Sequence, residues 1–314
     1  MRNIDLDSLQ IFKAVVDFGG ITKAAAHLNR VQSNITTRIK NLEERLGVAL
    51  FQRQGGKLVL SAEGRLLITY AEQLLRLSHE AEMAMRSGTP HGTLRIGTLE
   101  STAAARLPPF LSSYHGHYPD VHIELVTGTT TALISRVHRY DIEAAFISEP
   151  FRASNLETQT AFSEELVIVA PLQAKHIESA THLQQCTVIA FATGCSYRKI
   201  LDDWLAACDV VPVRVLELAS YHAIVACVAA GSGIAIVPRS VLGVMQAESL
   251  VKILPLPPEV ANVHTHLIWR VGHRSVALDA LRLELRSKQL GPATGEKVSD
   301  LVHESRVELS PPDR

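Results

Sequence analysis

The first 185 residues contain no cysteine. The four that exist (Cys186, Cys195, Cys208 and Cys227) form no Cys-x-x-Cys pair. Neither a disulfide framework nor a thiolate zinc site is therefore expected, and the thiols read as free. Long apolar runs are also missing. None reaches the ~18–20 residues that a membrane span needs. The start, Met1-Arg2-Asn3-Ile4-Asp5-Leu6-Asp7, lacks an apolar core segment. No secretion signal is expected there, and a cytoplasmic protein is. A Gly-x-Ser-x-Gly elbow, a phosphate-binding loop and a His-Glu-x-x-His run are all absent. The chain is not expected to be an enzyme. Nor is one sign of charge in excess, for the net is −1. The distribution says more: residues 1–90 hold 12 Lys/Arg against 9 Asp/Glu. That mild basic bias permits contact with nucleic acid without requiring it.

At 314 residues the chain is long for one core and suits about two to three folding units. In the first of them, Leu6, Leu9, Phe12 and Val16 recur at helical spacing, and Gly19-Gly20 ends that helix. A short helix follows, with Thr22 as its expected N-cap. A third helix carries the apolar stripe Ile35, Ile39, Leu42 and Leu46 and stops at Gly47. Short helix, turn and longer helix make a helix-turn-helix pattern. Gln32, Ser33, Asn34, Thr36 and Thr37 mostly face away from the stripe, with Arg30, Arg38 and Lys40 beside them. Polar side chains of this kind read base edges while cations hold phosphates. A solvated helix face is the plainer reading of the same residues. Leu50–Arg53 and Lys57–Leu60 flank Gly55-Gly56 as a β-hairpin wing, which offers Arg53 and Lys57 to a DNA backbone. A long helix to about residue 87 then sets Leu67, Tyr70, Leu74, Leu77 and Ala81 in a seam for a dimeric coiled coil. Packing against its own domain is the alternative for that face.

Taken together, Leu9-x-x-Phe12, Ala24-Ala25-x-x-Leu28, Gln32-Ser33, Ile39-x-x-Leu42-Glu43-x-x-Leu46-Gly47-x-x-Leu50-Phe51-x-Arg53 and Leu60-Ser61-x-x-Gly64 resemble the N-terminal signature of LysR-type transcription regulators. The likeness continues to about Leu290. It implies an all-α winged helix-turn-helix with a linker helix. A C-terminal α/β regulatory domain of two periplasmic-binding-protein-like subdomains follows. Base contacts carry over to Gln32, Ser33, Thr36 and Thr37, and phosphate or minor-groove contacts to Arg30, Arg38 and Arg53. Val31 and Ser33 stand where many members have Ser and Pro, and Thr36-Thr37 where many have Ser-Arg, so the operator sequence does not carry over. The divisions expected are 1–60 for the DNA head and 61–90 for the linker helix and hinge. Residues 91–290 form the regulatory domain: 91–162 with 264–290 as one subdomain, 163–263 as the other. Residues 291–314 read as a loose tail.

Beyond the hinge, strands are predicted at 121–126, 143–147, 164–169, 187–191, 213–218, 234–237 and 265–271. Helices are predicted near 101–117, 129–138, 197–208, 221–230 and 275–288. This alternation predicts mostly parallel sheets. Ligands then bind where loops and helix N-termini face the cleft. Thr98, Glu100, Ser101, Thr102, Thr129, Thr193, Cys195, Ser196, Arg198 and Tyr221 are the candidate effector contacts, with Ser101, Thr102, Thr129 and Thr193 or Ser196 implied by the resemblance. Simple N-capping accounts equally for the Ser and Thr residues. Glu100 and Arg198 are predicted to aim into one cleft, which suits an amine or an amino-acid-like effector. No cofactor or metal is expected. The expected partners are an interrupted palindromic DNA operator, a small co-inducer and further copies of the chain as a dimer of dimers. RNA polymerase is a further candidate. Three rivals remain open. Cys195 beside Arg198 suits a thiol redox sensor, with Cys208 downstream. His264-Thr265-His266 and His115/His117 suit a metal sensor. A metabolite-binding enzyme is the third.

Overall fold

A computed structural model of the chain describes residues 4–85, 89–174, 183 and 186–289. The Ser87-Gly88 part of the expected hinge and the expected tail at 291–314 lie outside the described residues. Among the described residues no helix is long and apolar enough to cross a membrane.

Three helices make the first core. α1 (Leu6–Asp17) buries Leu9, Phe12 and Val15. Asp5 caps it, accepting the Ser8 N–H at 2.8 Å, and Arg45 reaches the same carboxylate at 3.0 Å. The Ser8 amide and Arg45 together hold the Asp5 carboxyl down at about 2, against an ordinary 3.8. α2 (Ile21–His27) begins directly after Gly20, its N-cap. The expected cap, Thr22, lies inside the first turn instead. The left-handed φ of Gly19 (+68°) turns the chain so that the helix caps two residues earlier than the polar side chain signalled. α3 (Gln32–Leu46) buries Ile35, Ile39 and Leu42 and ends at Gly47 in the left-handed region.

The wing is β1 (Phe51–Gln54) paired antiparallel with β2 (Lys57–Leu60). Gly55 and Gly56 both take positive φ, as a two-residue hairpin turn of this hand needs. α4 (Ala62–Met85) then packs tightly on the wing's base. The Ser61 hydroxyl donates to the Ala49 carbonyl and accepts the Gly64 N–H. A Cβ on Gly64 would sit 2.1 Å from the Leu50 carbonyl oxygen. The inner face of α4, with Leu67, Ile68 and Ala71, joins the first core. Leu67 therefore packs on its own module, not in the expected seam. Leu66, which the seam reading omitted, stands exposed with Tyr70, Leu74 and Leu77, and Ala81 is exposed as well.

The C-terminal half opens with β3 (Gly92–Thr98), α5 (Glu100–Ala105), α6 (Leu107–His117), β4 (Val121–Thr127), α7 (Thr130–His138) and β5 (Ala144–Ser148). β6 (Leu156–Ala170) carries the chain into a second lobe of β7 (Thr187–Ala190), α8 (Ser196–Ala207), β8 (Arg214–Glu217), α9 (Tyr221–Ala229), β9 (Ala235–Pro238), α10 (Arg239–Val244), β10 (Lys252–Pro255) and α11 (Pro258–Ala261). β11 (Asn262–Arg270) leads back, and α12 (Val276–Gln289) closes on the first lobe. The expected single helix at 101–117 is two helices meeting at Arg106. Pro108-Pro109 cannot donate to the preceding turn, so a new helix must start there. The expectation of mostly parallel sheets also fails. β3 pairs parallel with β4 and β5, and β7 with β8. β11 runs antiparallel to β5 and β6, and β6 antiparallel to β9 and β10. The sheet order is β10-β6-β11-β5-β3-β4, with β9 also on β6.

Gly64→Ala should destabilise the N-terminal module by about 1–3 kcal/mol, because the added methyl meets backbone and not a movable side chain. Gly116→Ala, with open space around it, should be neutral or slightly stabilising. Urea unfolding of both variants decides the matter; equal midpoints would sink it.

Candidate DNA-binding face and interlobe cleft

Gln32, Ser33, Asn34, Thr36, Thr37, Arg38 and Lys40 are all exposed on α3, and Arg30 is exposed just before it. The helix lies with its apolar stripe inward, so its polar N-terminal half is presented outward. Thr36 is partly engaged, its hydroxyl donating to the Gln32 carbonyl at 2.9 Å. The Asp7 carboxylate holds two of the basic residues, Arg30 at 2.7 Å and Arg38 at 3.5 Å. Lys40 pairs loosely with Glu44 at 3.6 Å. Arg53 is exposed on β1 and makes no ion pair among the described residues. Lys57 opens β2, and its side chain lies outside what is described. Two contributors escaped the sequence reading. Asp7 arranges the arginines. Glu43 accepts the Leu50 and Phe51 N–H groups at 2.7 and 3.2 Å, which ties the wing to α3.

In the regulatory half, helix N-termini from both lobes meet. The Ser196 oxygen lies 2.7 Å from both Thr130 Oγ1 and the Ser148 carbonyl. Ser196 has one proton, so it donates to the carbonyl and accepts from Thr130. Thr131 N–H donates to the Gly194 carbonyl at 3.2 Å. Cys195 and Ser196 line two cavities. The first, about 330 Å³, is walled by Glu100, Ser101, Thr129, Phe191, Tyr197 and Tyr221 among others. The second, about 480 Å³, holds Phe151, Arg152, Thr193, Arg198 and Lys199.

Three expectations need correction. Glu100 and Arg198 do not share a cavity: Glu100 lines the first and Arg198 the second. Arg198 is turned toward the Phe191 carbonyl (3.0 Å), pairs with Glu217 through a short contact, and has Asp202 at 3.6 Å. Its i,i+4 acid and the strand opposite offer it closer partners than the cleft does. Thr193 lines only the second cavity. Thr98 and Thr102 line neither; both are buried, and the Thr98 hydroxyl donates to the Leu99 carbonyl. Thr129 caps α7 through the Ala132 N–H and also lines the first cavity, so its two readings coexist. Phe191 and Leu218 were missed as lining residues; apolar positions beside a strand end carry no signal in sequence.

Glu100 sits half-buried at the start of α5. One carboxylate oxygen accepts the Tyr221 N–H at 3.4 Å. The other is buried without a hydrogen-bond partner among the described residues. Burial pushes its carboxyl up, against the Tyr221 amide and the nearby His222. Burial likewise pushes Tyr197 up to about 12 and Tyr221 well above 10. The Cys195 thiol is pushed up by burial, which outweighs the α8 amides and Arg198. His264 and His266 flank Glu149 at 3.5 and 2.9 Å, and His117 meets Glu284 at 3.1 Å. Among the described residues no group of three His, Cys, Asp or Glu is placed to hold a metal.

Comparison with known proteins places these features. Residues 6–65 match the profile of the bacterial regulatory helix-turn-helix protein, lysR family. Residues 87–289 match the LysR substrate binding domain. The uncharacterized HTH-type transcriptional regulator YusT of Bacillus subtilis is 39% identical over 83% of this chain and 88% of its own. The HTH-type transcriptional regulator SoxR of an Arthrobacter species is 32% identical over 94% of this chain and 100% of its own. Among solved structures, a full-length OxyR variant from Pseudomonas aeruginosa aligns with a TM-score of 0.68 at 19% identity, covering 91% of this chain and 96% of that one. Full-length CbnR, solved with its target DNA, aligns at 0.66 and 21%, covering 90% and 99%. These structural likenesses bear on the fold.

The buried Glu100 carboxyl has a testable consequence. An acid whose pKa is raised by folding loses stability as pH rises through that value. Glu100→Gln keeps the acceptor for Tyr221 and removes the charge. It should raise the melting temperature at neutral pH, and the gain should vanish at acid pH. A variant less stable than the parent at neutral pH would refute this.

Proposed function

The chain belongs to the LysR family of bacterial transcription regulators, and from that premise we propose how its residues divide the work. It is a DNA-binding regulator with an effector-binding domain, not an enzyme. In our reading residues 1–60 form the DNA head and 61–90 the linker helix and hinge. Residues 91–290 form the regulatory domain of two subdomains. Gln32, Ser33, Asn34, Thr36 and Thr37 read base edges. Arg30, Arg38, Lys40, Arg53 and Lys57 hold the phosphate backbone. The observation that carries this is the outward polar half of α3 over its buried stripe, beside a wing with an exposed Arg53. The exposed row of Leu66, Tyr70, Leu74 and Leu77 supports pairing of two linker helices, and two heads then span an interrupted palindrome. Further association gives a dimer of dimers, with RNA polymerase as an additional partner.

The first cavity is the effector site in this reading. Glu100, Ser101, Thr129, Cys195, Ser196 and Tyr221 line it, and its chemistry supports an amine or amino-acid-like co-inducer. The thiol-sensor alternative is weakened by Cys195 itself. It is 8% exposed, and burial disfavours the reactive thiolate.

Two variants separate base reading from backbone holding. Gln32→Ala should relax preference at one operator position, at a cost of about 1–3 kcal/mol there. Arg53→Ala should weaken all sequences alike and reduce the salt slope by about one. Binding measured on a mutated operator series across salt concentrations is the check. Uniform losses for Gln32→Ala would overturn the base-reading role.

A further inference from the structure

We propose that the first cavity receives a small organic cation: an ammonium on an apolar body, with no carboxylate of its own. The inference rests on reading that cavity as the effector site and narrows its ligand class.

The charges decide it. Among the described residues the charged ones lining the cavity are Glu100 and Glu217, with no Lys, Arg or His. Glu217 is engaged by Arg198, which belongs to the neighbouring cavity. Glu100 makes no ion pair among the described residues, the nearby His222 lying outside the lining. One of its oxygens takes the Tyr221 amide and the other is buried with no partner. A buried acceptor with unused lone pairs is destabilising, and a donor arriving on a ligand relieves it. The Ser101 hydroxyl is buried beside it, within reach of the Tyr197 and Tyr221 hydroxyls.

Four helices begin here, and helix N-termini favour anions. At three of them part of that capacity is already taken up. Glu100 itself holds the first amide of α9. The Gly194 carbonyl takes the Thr131 N–H, and Thr129 takes the Ala132 N–H. The Tyr197 and Arg198 amides of α8 face the Cys195 sulfur. A ligand carboxylate would thus meet two acids and no side-chain cation. The remaining walls suit an apolar body. Phe191 and Tyr221 lie with ring centroids 4.8 Å apart, and Leu99 and Leu218 complete the lining. Aromatic faces also attract an ammonium directly.

The test is calorimetric titration of the full chain with two matched sets: phenethylamine, phenylalanine and hydrocinnamate; isoamylamine, leucine and isocaproate. At least one amine should bind. Its amino acid should bind about tenfold more weakly or worse, and its acid not at all. Glu100→Gln should weaken the amine by about tenfold or more, as loss of a charge-assisted hydrogen bond does. Ala192→Trp, a bulky side chain at an exposed lining position, should abolish binding. Silence from both amines would overturn the proposal. So would an acid or amino acid that binds best and is lost in Ala192→Trp, but that result would leave the effector site in place. An amine whose binding survives both variants would remove the cavity itself as the effector site.

Discussion

The regulatory half depends on one ladder, the antiparallel pairing of β6 with β11. These two strands carry the chain out of the first lobe and back, and they pair from Leu156↔Arg270 to Glu165↔Asn262. One lobe's sheet hangs on β11 through β5, while β9 and β10 hang on the far end of β6. The register shifts between Thr265 and His266, so Ala161 is an extra residue on β6. A bulge of this kind bends and twists a strand pair without ending it. Both crossings lie side by side at one place, which leaves the lobes a shared hinge and an open face opposite.

Besides the ladder, a few polar contacts join the lobes, one set at the hinge and the other across the cleft. Arg106 grips the buried Glu164 through two hydrogen bonds, and Ser240 donates to the same carboxylate. Ser196 joins Thr130 and Ser148, and the Tyr221 amide meets Glu100. Of these, the Glu164 cluster is the durable one, because breaking it strands a buried charge. The cleft-side bonds are of another order. Each is a single neutral or partly satisfied hydrogen bond, worth about 0.5–1.5 kcal/mol net. Contacts of that size hold a cleft shape while leaving it responsive to a bound molecule.

Much of this was legible in the sequence, and the misses share a cause. The helix-turn-helix, its glycine stops and the wing follow from local periodicity and turn chemistry, which one segment carries by itself. Pro108-Pro109 carried the break at Arg106 too, but a sustained apolar pattern masked it. The antiparallel ladder was illegible, because β6 is long and only its buried C-terminal half looks like a strand; the outer half alternates with polar residues. Arg198 shows the same limit at a site. Its place at a helix start pointed to the cleft, and only the fold brings Glu217 from β8 to claim it. Asp7 and Leu66 are further instances. Each is ordinary in its own helix and gains meaning from what stands across from it.

The two halves of the molecule meet through α7. Its first turn is in the cleft, where Thr129, Thr130 and Thr131 make the contacts described. Just beyond its last turn, Asp141 takes Arg76 of α4 at 3.4 Å and Arg139 at 3.2 Å. Nine residues of helix span about 14 Å as a rigid rod. That helix lies between the cleft and the contact with α4. The Arg76 contact is a single, half-buried ion pair at 3.4 Å. The energy for any change must come from the cleft, and a ligand supplies it only through a difference in affinity between two arrangements. Glu100 is placed for such a difference in the proposed reading, since it bridges to α9 with one oxygen and its other oxygen has no hydrogen-bond partner among the described residues.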